Sequence, residues 1–86
     1  MNESLEEYRF RKIKELLPEA VAMAQREGAI RISVLQRTFR IGYTLAAAIV
    51  DEMQRSGLVG LLFDQAAYGF PWIGGTKNEA LKGGEG

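Results

Sequence analysis

The stretch RIGYTLAAAIVDEM, residues 40–53, constrains the fold of this chain more than any other. Its apolar residues recur at i, i+3, i+4 and i+7, the spacing that places side chains on one helix face: Ala46, Ile49, Val50 and Met53. Gly57 follows as a residue suited to end a helix, so the pattern predicts a helix from about Tyr43 to Ser56. Because one face of this helix is apolar, the rest of the chain must supply a surface that covers it.

The N-terminal third predicts more helix. Ser4 and Glu7 have the spacing of a capping box, and apolar residues follow at approximately helical intervals, so we expect a first helix from about Leu5 to Leu16. Pro18 is favoured at the first position of a helix and strained in its interior. PEAVAMAQREG is therefore a second helix or the far side of a kink, and Gly28 is expected to end it.

A short strand and a short helix are predicted between Gly28 and the RIG turn. The segment AIRIS, Ala29–Ser33, alternates and is rich in β-branched residues, which favours one brief strand. Ser33 is then expected to cap the helix VLQRTF, whose inward-facing residues are Val34, Leu35 and Phe39.

Beyond Gly57 the pattern changes from helical to extended. LVGLLF and GFPWIGG are β-like runs separated by DQAAYG, which predicts a hairpin, and Pro71 restricts the second run to an edge or a bulge. Either alternate apolar residues of this hairpin cover the core, or the outward-facing ones form a partner surface: Leu61, Leu62, Phe63, Tyr68, Phe70, Trp72 and Ile73. We expect residues 74–86, which are rich in glycine, to form a flexible tail.

These elements have the order of a winged helix-turn-helix, the motif that places its second helix in the major groove of DNA. We therefore predict a mainly α fold with a small β-hairpin (α+β), a winged helix-turn-helix with an extra N-terminal helix. The expected divisions are an N-terminal helix in residues 1–17, the winged helix-turn-helix domain in residues 18–73, and the tail in residues 74–86.

Composition argues against several classes of function. The 86 residues contain no Cys and no His, and the adjacent Asp51 and Glu52 point in different directions on a helix, so we expect no enzyme, no cofactor and no metal site. No apolar run is long enough to cross a bilayer, so we expect a cytoplasmic protein with no membrane partner. The net charge is zero, but residues 9–40 carry eight cations against three anions. Positive charge is therefore concentrated in the first half of the chain.

The segment ISVLQRTFRIGYTLAAAIVDEMQRSGLVG, residues 32–60, closely resembles the gamma domain of FtsK/SpoIIIE-type DNA translocases, including the distinctive core LQRxFRIGY. The resemblance implies a winged helix that recognises short polar DNA sequences. That family usually has Asn-Arg-Ala-Ala-Arg after RIGY, and its Asn and Arg side chains suit bidentate contacts with base edges. The three matching positions here are Thr44, Leu45 and Ala48. The chain also lacks the expected wing cations, because none lies between Arg55 and Lys77.

The first functional hypothesis is a small stand-alone DNA-binding protein, an accessory or regulatory factor of a bacterium or mobile element. Its partner would be double-stranded DNA, with the phosphates held by Arg31, Arg37 and Arg40. The predicted recognition helix would enter the major groove with the face formed by Tyr43, Thr44, Leu45 and Ala48. A homodimer would raise the affinity, because one neutral copy makes few phosphate contacts.

The alternative hypothesis is a protein-interaction module, an inhibitor or adaptor in which the fold is kept and the DNA surface is converted. The loss of the three base-contacting residues and the overall neutrality favour it. An exposed Leu at the tip of the recognition helix would then join hairpin residues in one contact surface: Leu45, Phe63, Tyr68, Phe70 and Trp72. The basic run RFRKIK, Arg9–Lys14, is either an arm that follows a DNA groove or the polar face of the first helix.

Overall fold

The elements follow one another in the order α1 (Leu5–Glu27), β1 (Ala29–Ile30), α2 (Ile32–Phe39), α3 (Tyr43–Arg55) and β2 (Phe70–Pro71). The computed structural model describes residues 3–74, so residues 75–86 of the predicted tail lie outside the described part. β1 and β2 pair antiparallel, with Ala29 opposite Pro71 and Ile30 opposite Phe70. The predicted α+β winged helix-turn-helix is confirmed.

α1 is a single helix of 23 residues. A capping box begins it, because the Ser4 hydroxyl accepts from the Glu7 N–H at 3.0 Å while the Glu7 carboxylate accepts from the Ser4 N–H at 2.9 Å. Gly28, with φ of 86°, ends it as predicted. The prediction of a helix end near Leu16 is wrong. Pro18 lies inside α1, and apolar residues before and after it pack against the same core, which holds the helix together across the missing hydrogen bond.

The core forms where α1 and α2 pack against α3. The apolar stripe that the sequence predicts on α3 is buried in full, at exposures of 0–3%: Ala46, Ile49, Val50 and Met53. Leu35 of α2 is completely buried, and Val34 and Phe39 pack against the same cluster, so the predicted inward face of α2 is confirmed. Burying a side chain of this size contributes about 1.5–3 kcal/mol, so these few residues dominate the stability of so small a domain.

The strand before α2 is shorter than predicted. β1 ends at Ile30, and Arg31 is the N-cap of α2, so Ile32 and Ser33 belong to the helix. The Arg31 carbonyl accepts hydrogen bonds from the N–H groups of Val34 and Leu35, both at 3.2 Å. Ser33 therefore does not cap α2, because the chain turns into the helix two residues earlier than the β-branched pattern indicates.

The wing, residues 58–73, is a hairpin held by few backbone contacts. Isolated bridges join Val59 to Trp72 and Asp64 to Gly69, so DQAAYG forms the predicted hairpin loop. The Asp64 carboxylate accepts from the Ala66 N–H at 2.9 Å and stabilises this loop. On the α3 side, the Gln54 amide donates to the Gly60 carbonyl at 3.1 Å. The wing is thus fixed to both β1 and α3.

Candidate nucleic-acid interface

The basic side chains within residues 3–74 fall into a paired and an unpaired group. Ion pairs join Arg11 to Glu3 at 2.9 Å, Lys12 to Glu15 at 3.3 Å, Arg26 to Glu27 at 3.7 Å, and Arg55 to Glu52. The hydrogen bond from Arg11 lowers the pKa of the Glu3 carboxyl, and the hydrogen bond to Glu52 raises the pKa of Arg55. Five cations in the described residues make no ion pair: Arg9, Lys14, Arg31, Arg37 and Arg40. The three arginines predicted to hold phosphates all belong to the unpaired group.

Arg31 lies at the start of α2 beside the wing. Its guanidinium carbon is 4.2 Å from the centroid of the Tyr68 ring, a cation–π contact. It also lines a cleft between α2, the first residue of α3 and the wing, which we call the wing cleft: Arg31, Ile32, Ser33, Gln36, Tyr43, Phe63, Tyr68 and Phe70. Arg31 therefore lies on the wing side of the recognition helix.

Arg40 borders the first turn of α3 at a different cleft from Arg31. It ends α2 in a left-handed conformation with φ of 55°, and its N–H donates to the Gln36 carbonyl. It lines a second cleft, between the first turns of α1 and the start of α3, which we call the α1 cleft: Leu5, Tyr8, Arg9, Arg40, Ile41, Gly42, Thr44 and Leu45. Arg9 and Arg40 thus line the same cleft. The sequence could not show this, because 31 positions separate the two residues.

The local charge around the start of α3 is positive. Residues 28–50 contain three arginines and no acidic residue, and the first turn of α3 holds no acid. Arg37 is exposed on α2 and lies one helical turn after Ser33 of the wing cleft. The segment that contains the first turn of α3 therefore carries a net positive charge, which suits an anionic partner.

The exposed face of α3 begins with Tyr43, whose side chain is 63% exposed, and Thr44. Ala47 and Ala48 are half-buried one turn later, and Asp51 is exposed one turn beyond them. Leu45 is not part of this face. Its side chain is only 9% exposed, because α1 and the turn before α3 lie over that side of the helix. The expectation that Leu45 is an exposed residue is therefore wrong.

The hairpin residues of the predicted partner surface differ in how far they are exposed. Tyr68 is 61% and Phe63 42% exposed, and Phe63 packs edge-on against Tyr68 at 6.2 Å and against Phe70 at 5.8 Å between ring centroids. Phe70 and Trp72 are half-buried against the core instead. The remaining large apolar residues of the wing are exposed: Leu61, Leu62 and Ile73. The burial does not alternate along the hairpin: Phe70 and Trp72 cover the core, whereas the consecutive residues Leu61, Leu62 and Phe63 remain at the surface.

Two further features of residues 3–74 bear on other classes of function. No helix in this part of the chain is long and apolar enough to span a membrane. Nor does this part bring together three or more acidic side chains in an arrangement that could hold a metal ion.

Comparison with known proteins gives the family. The FtsK gamma domain model matches residues 12–65. Similar proteins, each aligned over 46 residues, are the DNA translocases FtsK of Halalkalibacterium halodurans (48% identical) and Lactiplantibacillus plantarum (50%), and DNA translocase SpoIIIE of Bacillus subtilis (48%). Each match covers 54% of this chain and only 6% of the relative. No solved structure matches. Because the matched residues span more than half of the chain and contain the entire helix-turn-helix, the chain belongs to the FtsK gamma domain family.

Proposed function

We propose that this protein binds double-stranded DNA through α3, with Arg31, Arg37 and Arg40 holding phosphates. The observation that carries the proposal is that Arg31 and Arg40, which make no ion pair within residues 3–74, line two different clefts that both border the first turn of α3. Family membership supports it, because relatives of the chain are DNA translocases. The protein's role would be that of an accessory or regulatory DNA-binding factor.

The face that α3 offers to bases is small and uncharged up to Asp51. Thr44 and Ala48 can contact a thymine methyl group, but neither makes the bidentate bonds that distinguish one base pair from another at about 1–3 kcal/mol each. Leu45 is buried and also makes no such bond, so none of the three reading positions implied by the resemblance contributes one. Phosphate contacts would therefore supply most of the affinity, and a second copy on the same duplex would double their number.

The salt dependence of binding tests this proposal. Fluorescence anisotropy with a labelled random duplex should give a log K that falls with log salt, with a slope of about −0.9 per phosphate contacted. Arg37→Ala and Arg40→Ala should each reduce the slope by about 0.9. Arg26→Ala is the matched control, because Arg26 is an exposed arginine already paired with Glu27. Absence of binding at about 50 mM salt would contradict the proposal.

One observation favours a second function, the docking of a protein on the wing. Leu61 and Leu62 are 74% and 81% exposed and adjacent in the chain, and Ile73 of the same hairpin is 60% exposed. Apolar surface of this kind often marks a partner site. A Leu62→Asp variant should bind duplex DNA normally but lose a partner that the wild type retains. Equal retention by both proteins would remove this function.

A further inference from the structure

We propose that the wing cleft binds an unstacked nucleobase, so that the protein prefers a duplex that adjoins unpaired bases over a blunt duplex. The position of the DNA in this proposal rests on the proposed duplex binding through α3. The site itself rests on the side chains that line the cleft and on their exposure.

Three aromatic rings at the wing cleft are open to solvent. Tyr43 is 63%, Tyr68 61% and Phe63 42% exposed, although side chains of this size normally bury most of their area. They come from different elements, Tyr43 from the start of α3 and the other two from the wing, and all three line the same cleft. Two of the rings are held in place, since Phe63 packs edge-on against Tyr68 and the guanidinium of Arg31 lies over the Tyr68 ring. This is a prepared aromatic surface.

The polar lining of the cleft suits the edge of a base. The Gln36 amide and the Ser33 hydroxyl can each donate and accept hydrogen bonds, and neither side chain bonds to another group within residues 3–74. A purely apolar partner would leave these groups without partners on burial, which costs free energy. A nucleobase offers both a flat face for the rings and an edge for the polar groups.

Charge also favours nucleic acid as the occupant. Among residues 3–74, Arg31 is the charged residue that lines the cleft and no carboxylate does, and Arg37 follows one turn after Ser33 on the exposed side of α2. Phosphates on either side of a bound base would therefore meet cations. Tyr43 is also the first residue of α3, so the cleft continues the face proposed to lie in the major groove. A strand that leaves the duplex at this point would reach the cleft directly.

The test compares three labelled ligands by fluorescence anisotropy: a blunt duplex, the same duplex with a single-stranded thymine tail, and the thymine strand alone. Stacking of one base contributes about 1–3 kcal/mol, so the tailed duplex should bind at least about fivefold more tightly than the blunt one. A 2-aminopurine in the tail should lose fluorescence on binding, as it does when it stacks.

Variants locate the effect. Tyr68→Asn removes a ring, and Asn tolerates the left-handed backbone at this position, where φ is 57°. In this variant the ratio of the affinity for the tailed duplex to that for the blunt duplex should fall below about two. Tyr68→Phe should keep the wild-type ratio. Phe63→Leu, which keeps apolar packing on Phe70 but removes the aromatic face, is a second and independent variant. Ile73→Ala is the control, since Ile73 is an exposed wing residue outside the cleft. Circular dichroism checks that each variant is folded.

The outcomes separate the two proposals. Binding of blunt duplex with a wild-type ratio near one would overturn the cleft proposal and leave duplex binding intact, and the cleft would then be open to a protein partner. Binding of the tail without binding of blunt duplex would overturn the duplex proposal alone. A ratio that survives both Tyr68→Asn and Phe63→Leu would place the unpaired base elsewhere and overturn the cleft proposal.

Discussion

The guanidinium of Arg31 lies 4.2 Å from the centre of the Tyr68 ring and so joins the N-cap of α2 to the loop of the wing. Arg31 thus has two separable properties, its charge and its cation–π contact with Tyr68. Arg31→Lys keeps the charge but loses the planar group, so we expect the free energy of unfolding to fall by about 0.5–1 kcal/mol with an unchanged salt slope. Arg31→Ala should also reduce the slope by about 0.9. Urea denaturation and salt titration measure the two effects, and equal slopes for Ala and wild type would remove Arg31 from the phosphate contacts.

Arg9 tests whether α1 takes part in the interface. It is half-buried, makes no ion pair within the described residues, and lines the α1 cleft together with Arg40 and Thr44. We therefore expect Arg9→Ala to weaken duplex binding and to lower the salt slope by about 0.9. Arg11→Ala is the control from the same helix, because Arg11 is engaged with Glu3. If the two variants have the same slope, the cation of α1 is not a phosphate contact.

We expect Asp51 to oppose DNA binding in the proposed orientation. Its carboxylate is exposed on α3 two turns after Tyr43 and Thr44, on the face that would enter the major groove. Asp51→Asn removes a like-charge repulsion, so the affinity for duplex DNA at about 50 mM salt should rise by about two- to fivefold. Glu19→Gln changes the net charge of the protein equally from an exposed position on α1. An equal gain from both variants would show that only net charge matters.

Leu45 should be required for stability. Because its side chain is 9% exposed, Leu45→Ala should lower the free energy of unfolding by about 2 kcal/mol, and Leu45→Asp by more, since a buried charge is left without a partner. Leu61→Asp is the control, because a residue 74% exposed should tolerate the change within about 0.5 kcal/mol. Urea denaturation followed by the single Trp72 measures the difference. A Leu45→Asp protein as stable as the wild type would contradict the burial.

Local patterns were sufficient to predict the parts of the fold that depend on neighbouring residues. The capping box of Ser4 and Glu7, the left-handed Gly28 and the buried stripe of α3 each follow from residues within one or two turns of each other. The burial of Leu45 could not be predicted from neighbouring residues. Leu45 follows Thr44 at the start of an amphipathic helix, and only the position of α1, some 40 residues earlier, decides that its side is covered.

Sequence patterns can indicate the charged residues of the candidate site but not its shape. Arg31, Arg37 and Arg40 lie beside and before the predicted recognition helix, in or next to the segment that resembles the gamma domain. The two clefts, by contrast, each combine residues from distant segments. Arg9 meets Arg40, and Tyr43 meets Tyr68 and Phe63, only after the helices and the wing have packed. No periodicity connects such residues, so sequence patterns cannot reveal them.

Pro18 limits the stability of α1. It is exposed inside a continuous helix, where it cannot donate the hydrogen bond that residue 18 would otherwise make to the Lys14 carbonyl. Pro18→Ala restores this bond and removes no packing, so we expect a gain of about 1–3 kcal/mol in the free energy of unfolding, measured by urea denaturation. Glu19→Ala, an exposed neighbour on the same helix, should change stability by no more than about 0.5 kcal/mol. A loss of stability in Pro18→Ala would mean that the helix geometry imposed by the proline is needed to place Leu5 and Tyr8 beside the start of α3.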